Sequence, residues 1–528
     1  MLRHLKLLYP FCFAAFPLLS MVGHNVDEVT LGDVATVLAA TVGGTAVLFA
    51  LAYLIARRDL ELAAALTMLV VIWVVFVPAG ETVLAATGRW FRRSALAQGA
   101  LLPGVGLLVL GAVGWWLLKR RPRLEVMSRF LAIMGVVLVA MSLVRLTRIK
   151  LANQRRIAHS ELVRELAAPV AARPVRPGER KPDIYLVLLD GYGSNEVLRE
   201  FYGFDNRAFE DSLRQLGFAI PPVVRSNYTR SVLSIPSLLN FAHMNVLERE
   251  LGKSRDQSLL YHLLESNRAA RFLKSRGYRF YLFPSADWSG TQRSPLADSV
   301  FRAWPERTLS RALRRTNLRK GWIRVTMLKH VINPNADDDE FILRTYRGLS
   351  QVPRDTAPTF TFAHFLSPHR PYVLDSRCRP AVRSVRGPMR YGSPEDLEAY
   401  LAQVRCMNRL TLQLVRELLR TSEEPPVILL QSDHGTLTTR YWGTPPEQAR
   451  PEQIRERFGA FGAYYLPDGG TPADTMTVVN VLRYVFRAYF RAELPPLPDD
   501  QYYSVPSPEP YRFVRVNPPA EAHTSAPQ

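Results

Sequence analysis

Five apolar stretches crowd the start of this 528-residue chain, at residues 7–22, 34–55, 62–77, 96–118 and 127–146. Most approach the ~20 residues that a membrane-spanning helix needs. They predict a transmembrane region over residues 1–146, a bundle of about five helices. The first stretch is short and follows Arg3 and Lys6, in the manner of a signal peptide. Four more spans follow it and no small-residue cleavage site stands out, so it is expected to be retained.

Arg57-Arg58 and the Lys119-Arg120-Arg121 cluster fall on the same side as the N-terminus, whereas the connection 24–30 carries Asp27 and Glu28. Cytoplasmic loops are the ones rich in Lys and Arg. The N-terminus is therefore expected inside, and the chain beyond residue 150 outside, periplasmic or extracellular. Arg89, Arg92, Arg93, Arg145, Arg148 and Lys150 run against this pattern. The net charge of +20 points to an anionic partner. No zinc-finger spacing or RNP motif is present, so nucleic acid is set aside and membrane lipid is expected. Cys12 lies in the first apolar stretch; Cys378 and Cys406 could pair if their domain lies outside the cytoplasm.

Residues 147–180 read as a linker, with charged helical periodicity to residue 166 and then a run rich in Pro, Ala and Arg. From 181 to 505, strand-like and helical patterns alternate, which predicts an α/β domain. Strands are expected at 183–189, 278–283, 359–365, 426–431 and 459–466. Helices are expected at 206–216, 259–275, 394–420 and 475–488, the last capped by Asp474. The Pro-rich tail, 506–528, is expected to be disordered.

Two strands carry the chemistry. The run Ile184–Leu189 is apolar throughout, as in a parallel-sheet strand buried on both faces, and ends in Asp190-Gly191. A second, residues 426–431, runs into Ser432-Asp433-His434-Gly435. Open α/β sheets bind ligands at the carboxyl ends of their strands, so Asp190, Asp433 and His434 suggest one metal-type site. The plainer alternative makes both aspartates turn residues before glycine. Between these strands lies Ser226-Asn227-Tyr228-Thr229-Arg230-Ser231-Val232-Leu233-Ser234, a hydroxyl cluster entering a helix. It could supply a nucleophile near a helix N-terminus, or merely cap the helix. His369, between Pro368 and Pro371, follows another strand. Arg370 beside it is open to two readings, added charge or a solvated surface residue.

In chain order, then, come a strand-end Asp190, Asn227-Tyr228-x-x-Ser231 with Ser234-Ile235-Pro236, Pro368-His369-x-Pro371, and Ser432-Asp433-His434-Gly435, behind five spans. This order resembles the membrane-anchored branch of the alkaline phosphatase/sulfatase superfamily, which includes lipoteichoic acid synthases and lipid A phosphoethanolamine transferases. The resemblance implies an alkaline-phosphatase-like domain with a largely parallel sheet and one divalent metal held by Asp190, Asp433, His434 and Ser231. Ser231 takes the nucleophile's position, usually Thr in those transferases, with Thr229 and Ser234 as rivals. His369 falls where relatives place a histidine that contacts the substrate phosphate. The implied activity is transfer of a phosphoethanolamine- or phosphoglycerol-type head group through a phospho-serine. A membrane lipid would be donor or acceptor, and an envelope glycan a possible acceptor.

Two carboxylates, an imidazole and an alkoxide suit zinc or manganese, and such an ion would lower the pKa of the Ser231 hydroxyl. A sulfatase needs a formylglycine made in a C/S-x-P-x-R context, and Leu238 stands where the Arg should be. A two-metal phosphatase needs a second ligand cluster. His330, Asp337, Asp338, Asp339 and Asp375 show no ligand spacing that supplies one. Hydrolysis of phosphoric or sulfuric esters within the same superfamily is the nearest alternative, and a non-catalytic envelope scaffold is a more distant one.

Overall fold

The computed structural model describes residues 5–81, 101–174, 181–285, 288–301, 303, 316–352, 357–381, 391–438, 444–468 and 470–516. The chain divides into two compact units. One comprises Met1–Arg155 and Glu306–Ala336, the other Arg156–Pro305 and Asp337–Gln528.

In the first unit, among the described residues, four helices are long and apolar enough to cross a membrane: Leu31–Ile55, Leu60–Glu81, Leu102–Arg120 and Glu125–His159. The expected first span is instead the 16-residue helix Tyr9–His24. At 1.5 Å per residue it is about 24 Å long, short of a ~30 Å hydrocarbon core. Arg89, Arg92, Arg93 and the first residues of the expected fourth stretch lie outside the described residues. Leu107, Leu108, Trp115, Phe130 and Ile133 stand exposed on the long helices, as lipid-facing positions of a membrane protein do. The unit's interior gathers Tyr9, Phe13, Leu18, Val37, Ala64 and Val71, and with them Leu318 and Trp322 from the distant helix Asn317–Arg324. Arg319 of that helix meets Asp33 at 3.0 Å, and Lys329 pairs with Glu81.

The second unit begins where the helix Glu125–His159 runs out of the first and through much of the expected linker. A short helix, Glu161–Ala167, follows and buries Leu162 and Leu166 against Tyr228 and Leu260. Residues 175–180 lie outside the described residues. The strands are β1 (Ile184–Leu189), β2 (Val223–Arg225), β3 (Arg279–Phe283), β4 (Ser299–Val300), β5 (Thr359–Phe365), β6 (Val427–Gln431), β7 (Gly462–Tyr465), β8 (Thr475–Thr477), β9 (Tyr502–Tyr503) and β10 (Val514–Arg515). Six of them form one sheet in the order β4-β3-β5-β1-β6-β7. All its pairings are parallel except β6 with β7. β1 is central, so every residue of its apolar run is buried.

Side chains alternate across a strand, and β1 therefore feeds two cores. Ile184, Leu186 and Leu188 pack with the helices Ser231–Asn240, Arg268–Ser275 and Val478–Phe490. Tyr185, Val187 and Leu189 pack with Arg207–Gln215, Asp338–Leu349 and Pro394–Thr421. This is an α/β domain with helices on both faces of a largely parallel sheet.

Three details differ from the sequence expectation. The helix expected at 259–275 is two, Ser258–Glu265 and Arg268–Ser275, because Asn267 caps the second through Ala270 N. Asp474 caps nothing: its carbonyl accepts from Val223 N at 3.0 Å, and the last helix starts after Thr477. The tail is ordered as far as the described residues reach, with β10 paired to β9 and Tyr511 buried. Its aromatic residues, among them Phe513, find partners around Tyr228. Residues 517–528 lie outside the described residues.

Candidate metal centre and active site

β1 is flanked by β5 and β6, so their carboxyl ends deliver Asp190, His369 and the Asp433-His434 pair to one sheet edge. Asp190 N–H donates to Phe365 O at 2.9 Å, and His369 N–H donates to Asp190 O at 3.0 Å. The turn after Asp190 needs a left-handed residue, and Gly191 supplies it at φ 67°. Its N–H donates to Asp433 Oδ1 at 3.2 Å. Gly435 is equally constrained, since a Cβ there would lie 2.1 Å from Glu456 O.

Ser231 is the first residue of the helix Ser231–Asn240, where free backbone N–H groups favour an anion. Its Oγ is 3.1 Å from His434 Nε2 and 3.4 Å from Asp190 Oδ2. The rival hydroxyls are occupied elsewhere. Thr229 Oγ1 donates to Ser504 O at 2.7 Å rather than capping the helix, and Ser234 Oγ donates to Tyr228 O at 3.2 Å. Both are fully buried.

The tautomers follow from the neighbours. His434 Nδ1 lies 3.0 Å from Gly435 O, a group that only accepts, so Nδ1 carries the hydrogen. Nε2 then presents a lone pair 3.2 Å from Asp433 Oδ2 and 3.6 Å from Asp190 Oδ1. Neither carboxylate oxygen has a hydrogen-bond partner, though both are buried. Three electron-rich atoms facing one another in a dry site repel unless a cation or proton lies among them. Asp190, Asp433 and His434 each offer one such atom, all within 4.8 Å of one another. The donor set, two oxygens and one nitrogen beside a hydroxyl, fits a divalent cation.

Burial raises the Asp190 carboxyl, but the His369, His364 and His434 imidazoles outweigh it and hold the group below its ordinary value. Asp433 is pushed well above its ordinary value by burial and by the Asp190 charge beside it. Burial, aided by the Arg457 charge, holds His434 well below its ordinary value and therefore neutral. The two carboxyls are thus pushed in opposite directions, Asp190 toward its charged form and Asp433 toward its neutral one.

His369 Nδ1 lies 2.6 Å from Arg370 O and so carries the hydrogen, leaving Nε2 as the free nitrogen. Its ring centre is 6.4 Å from that of His434. Arg370 is not solvated: it pairs with Asp396 and stacks on Tyr391. Asp375 turns into its own loop, accepting from Arg377 N and Arg379 N at 2.8 and 2.9 Å. Among the described residues, one group of acidic, His or Cys side chains converges as metal ligands do, and it contains none of the second-cluster candidates.

Two participants were hidden in the sequence. His364, one residue before the end of β5, is buried with Nε2 3.5 Å from Asp190 Oδ2 and Nδ1 2.8 Å from Thr291 Oγ1. The signal was an imidazole inside a strand with no other ionisable residue. Arg457 donates to Thr229 O at 2.7 Å and to Gly435 O at 3.0 Å, clamping the Ser231 segment to the His434 segment. Nothing near it in sequence marks that role.

A covered, mostly parallel sheet with acidic and imidazole groups at its carboxyl edge, facing a serine at a helix start, defines a class of metal-dependent ester chemistry. The sulfatase family matches residues 192–461, more than half of the chain, and the chain belongs to that family. It is an enzyme of a metal-dependent family acting on phosphate or sulfate esters. No curated protein matches the chain by sequence. Among solved structures it is similar to the periplasmic domain of EptC from Escherichia coli in complex with zinc, at 12% identity and TM-score 0.41, covering 66% of this chain and 96% of that one. It is also similar to the lipoteichoic acid synthase LtaP from Listeria monocytogenes, at 11% and 0.37, covering 65% and 79%. The integral membrane lipooligosaccharide phosphoethanolamine transferase EptA from Neisseria meningitidis matches at 12% and 0.35, covering 87% of each chain.

Proposed function

We propose that this protein is a membrane-bound head-group transferase. It moves a phosphoethanolamine- or phosphoglycerol-type group from a membrane lipid to an envelope lipid or glycan through a phospho-Ser231 intermediate. The observation that carries this is the Ser231 hydroxyl, half-buried at a helix start and 3.1 Å from the free nitrogen of His434. Asp190, Asp433, His434 and Ser231 would hold one ion, zinc or manganese. When bound, the ion supplies Lewis acidity that favours the serine alkoxide and offsets phosphoryl charge.

Ser231 Oγ attacks phosphorus in line, forming the Oγ–P bond as the bond to the lipid oxygen breaks. The helix N-terminus and its N–H groups hold the non-bridging oxygens. When protonated, His369 donates from Nε2 to those oxygens or gives that proton to the departing lipid oxygen. The acceptor hydroxyl then attacks phosphorus, its proton passing to His369 Nε2, and the Oγ–P bond breaks as Ser231 departs, regenerating the enzyme. Arg457 fixes the distance between the two segments that perform these steps.

The catalytic domain is taken as residues 181–505 without the segment 306–336, which belongs to the first unit; it is placed outside the cytoplasm, behind the membrane region 1–146 and the linker 147–180. Support for that side comes from the disulfide between Cys378 and Cys406, since such bonds persist in oxidising compartments. Support against a formylglycine comes from Ser234, fully buried and bonded to Tyr228 O. The test is to supply a lipid donor without acceptor and map the added phosphoryl mass. It should sit on the peptide containing Ser231, and Ser231→Ala should abolish it. Mass on Thr229 or Ser234 instead, or normal turnover by Ser231→Ala, would reject the proposal. Rapid loss of the label to water alone would mark a hydrolase.

A further inference from the structure

A narrow cleft adjoins the site beside His369. Gly191 and Gly435, the residues that follow Asp190 and His434, line it together with Tyr202, Tyr372, Tyr391 and Tyr400. Several aromatic rings around one cleft form the usual setting for an ammonium group. Here the chain's own cation occupies that setting. The Arg370 guanidinium lies 3.7 Å from the ring centre of Tyr391 and 5.6 Å from that of Tyr372. Asp396 anchors it by an ion pair, with side chains 3% exposed for Asp396 and 21% for Arg370. The pair therefore turns its positive member outward. A second guanidinium, that of Arg457, also lines the cleft, and no described lining residue is a carboxylate.

The interior of the cleft, about 20 Å³, holds little more than a water, so a head group lies at its mouth. An ammonium there would meet a like charge at a half-buried rim, where screening is weaker than in water. It would also find the exposed Tyr391 face already used. A hydroxyl-rich or anionic group would instead meet the positive charge of the guanidinium.

We infer that Arg370 and the tyrosines around it read the head group travelling with the phosphoryl, and select a polyol or acidic head group against a primary amine. This rests on the head-group-transfer reading and narrows it, from two head-group types to the glycerol-like one.

The experiment measures binding of glycerol phosphate and of phosphoethanolamine to the full-length, zinc-loaded protein in detergent, by calorimetry. Glycerol phosphate should bind about tenfold more tightly, the scale of one partly screened like-charge contact. Arg370→Gln should reduce that ratio to near one, and Arg370→Lys, which keeps the charge, should preserve most of it. A wild-type protein that binds phosphoethanolamine as well or better overturns the inference whatever the variants do. So does a ratio unchanged in Arg370→Gln. The two readings fail separately. If neither compound binds and Ser231 is never labelled, head-group transfer itself is wrong. If Ser231 is labelled but the amine is preferred, only the selectivity inference falls.

Discussion

In the first unit Asp33 faces Arg319 and Glu81 faces Lys329, so each of these carboxylates looks at a cation. At the carboxyl edge of the sheet in the second unit, Asp190 and Asp433 look instead at the lone pair of His434, and each keeps an oxygen with no partner. Both regions remove acidic groups from water, which costs free energy unless the charge is matched. Matched pairs hold a structure together. An unmatched cluster of donors is stable only through the packing around it, and it is what binding and catalysis require. The same residue type thus means opposite things in the two places, and substitution should separate them.

The largest contrast is expected at Asp433. Asp433→Asn should lower turnover at least ~10³-fold, because it removes both an ion ligand and a charge beside the reacting group. It should empty the bound ion, as read by elemental analysis. Thermal unfolding of the ion-free protein should stay level or rise slightly, since a buried, unpaired acid has gone. Lower ion-free stability would break the comparison. Proton linkage sharpens it. Burial and the Asp190 charge raise the Asp433 carboxyl, and His434 is held low, so over the pH range in which Asp433 carries a proton, ion uptake must expel it. Affinity should therefore climb by about tenfold per pH unit until the folded-state pKa of Asp433 is passed. It should lose that slope in Asp433→Asn.

At Asp33 the reverse pattern is expected. Asp33→Ala takes the carboxylate from the buried Arg319 guanidinium, which keeps neutral contacts such as Thr36 Oγ1 in its place, and should cost about 3 kcal/mol in the first unit. Heat-induced loss of the full-length protein in detergent would report it, with ion content unchanged. The exchange Asp33→Arg with Arg319→Asp should recover much of the loss. If Asp33→Ala is silent, the pair is not holding that unit together.

The smallest effect is expected at His364. Its Nε2 lies 3.5 Å from Asp190 Oδ2, the kind of outer contact worth about tenfold in ion affinity. His364→Leu should show that loss in a competition with a chromophoric chelator. His364→Gln, whose amide nitrogen can reach the Nε2 position, should recover most of it. Equal affinity in all three would make His364 a packing residue.

How much of this could be read from the chain depended on local signal. β1 and β6 were legible because a strand buried on both faces has no polar side to hide its length, and a carboxylate at its end stands out. The residues alone left Ser231 among three hydroxyls and the resemblance chose it; the partners of the other two, Ser504 O and Tyr228 O, lie far off in the chain or give no local signal. The helix Asn317–Arg324 was missed because its apolar residues are few and interleaved with Arg319, Lys320 and Arg324. A short segment of that kind looks like a solvated loop until its partners are in place. The tail misled for the complementary reason. Its prolines suggest disorder, but Tyr511 and Phe513 find a ring cluster that no local pattern announces.

The placement of Glu306–Ala336 with the first unit bears on how the molecule is made. A ribosome finishes the last long apolar helix well before it reaches Leu318, Arg319 and Trp322. At 5–20 residues per second, the intervening stretch of roughly 150 residues takes about 8–30 s to synthesise. Through that interval Asp33 lacks Arg319, Glu81 lacks Lys329, and the core around Tyr9 and Phe13 lacks its indole. The first part of the chain to be synthesised is therefore not the first to be complete. Its newborn form carries bare acids and open apolar surface until the later segment arrives. A chain truncated anywhere between residues 160 and 316 should present that unfinished form permanently, as a substrate for membrane quality control.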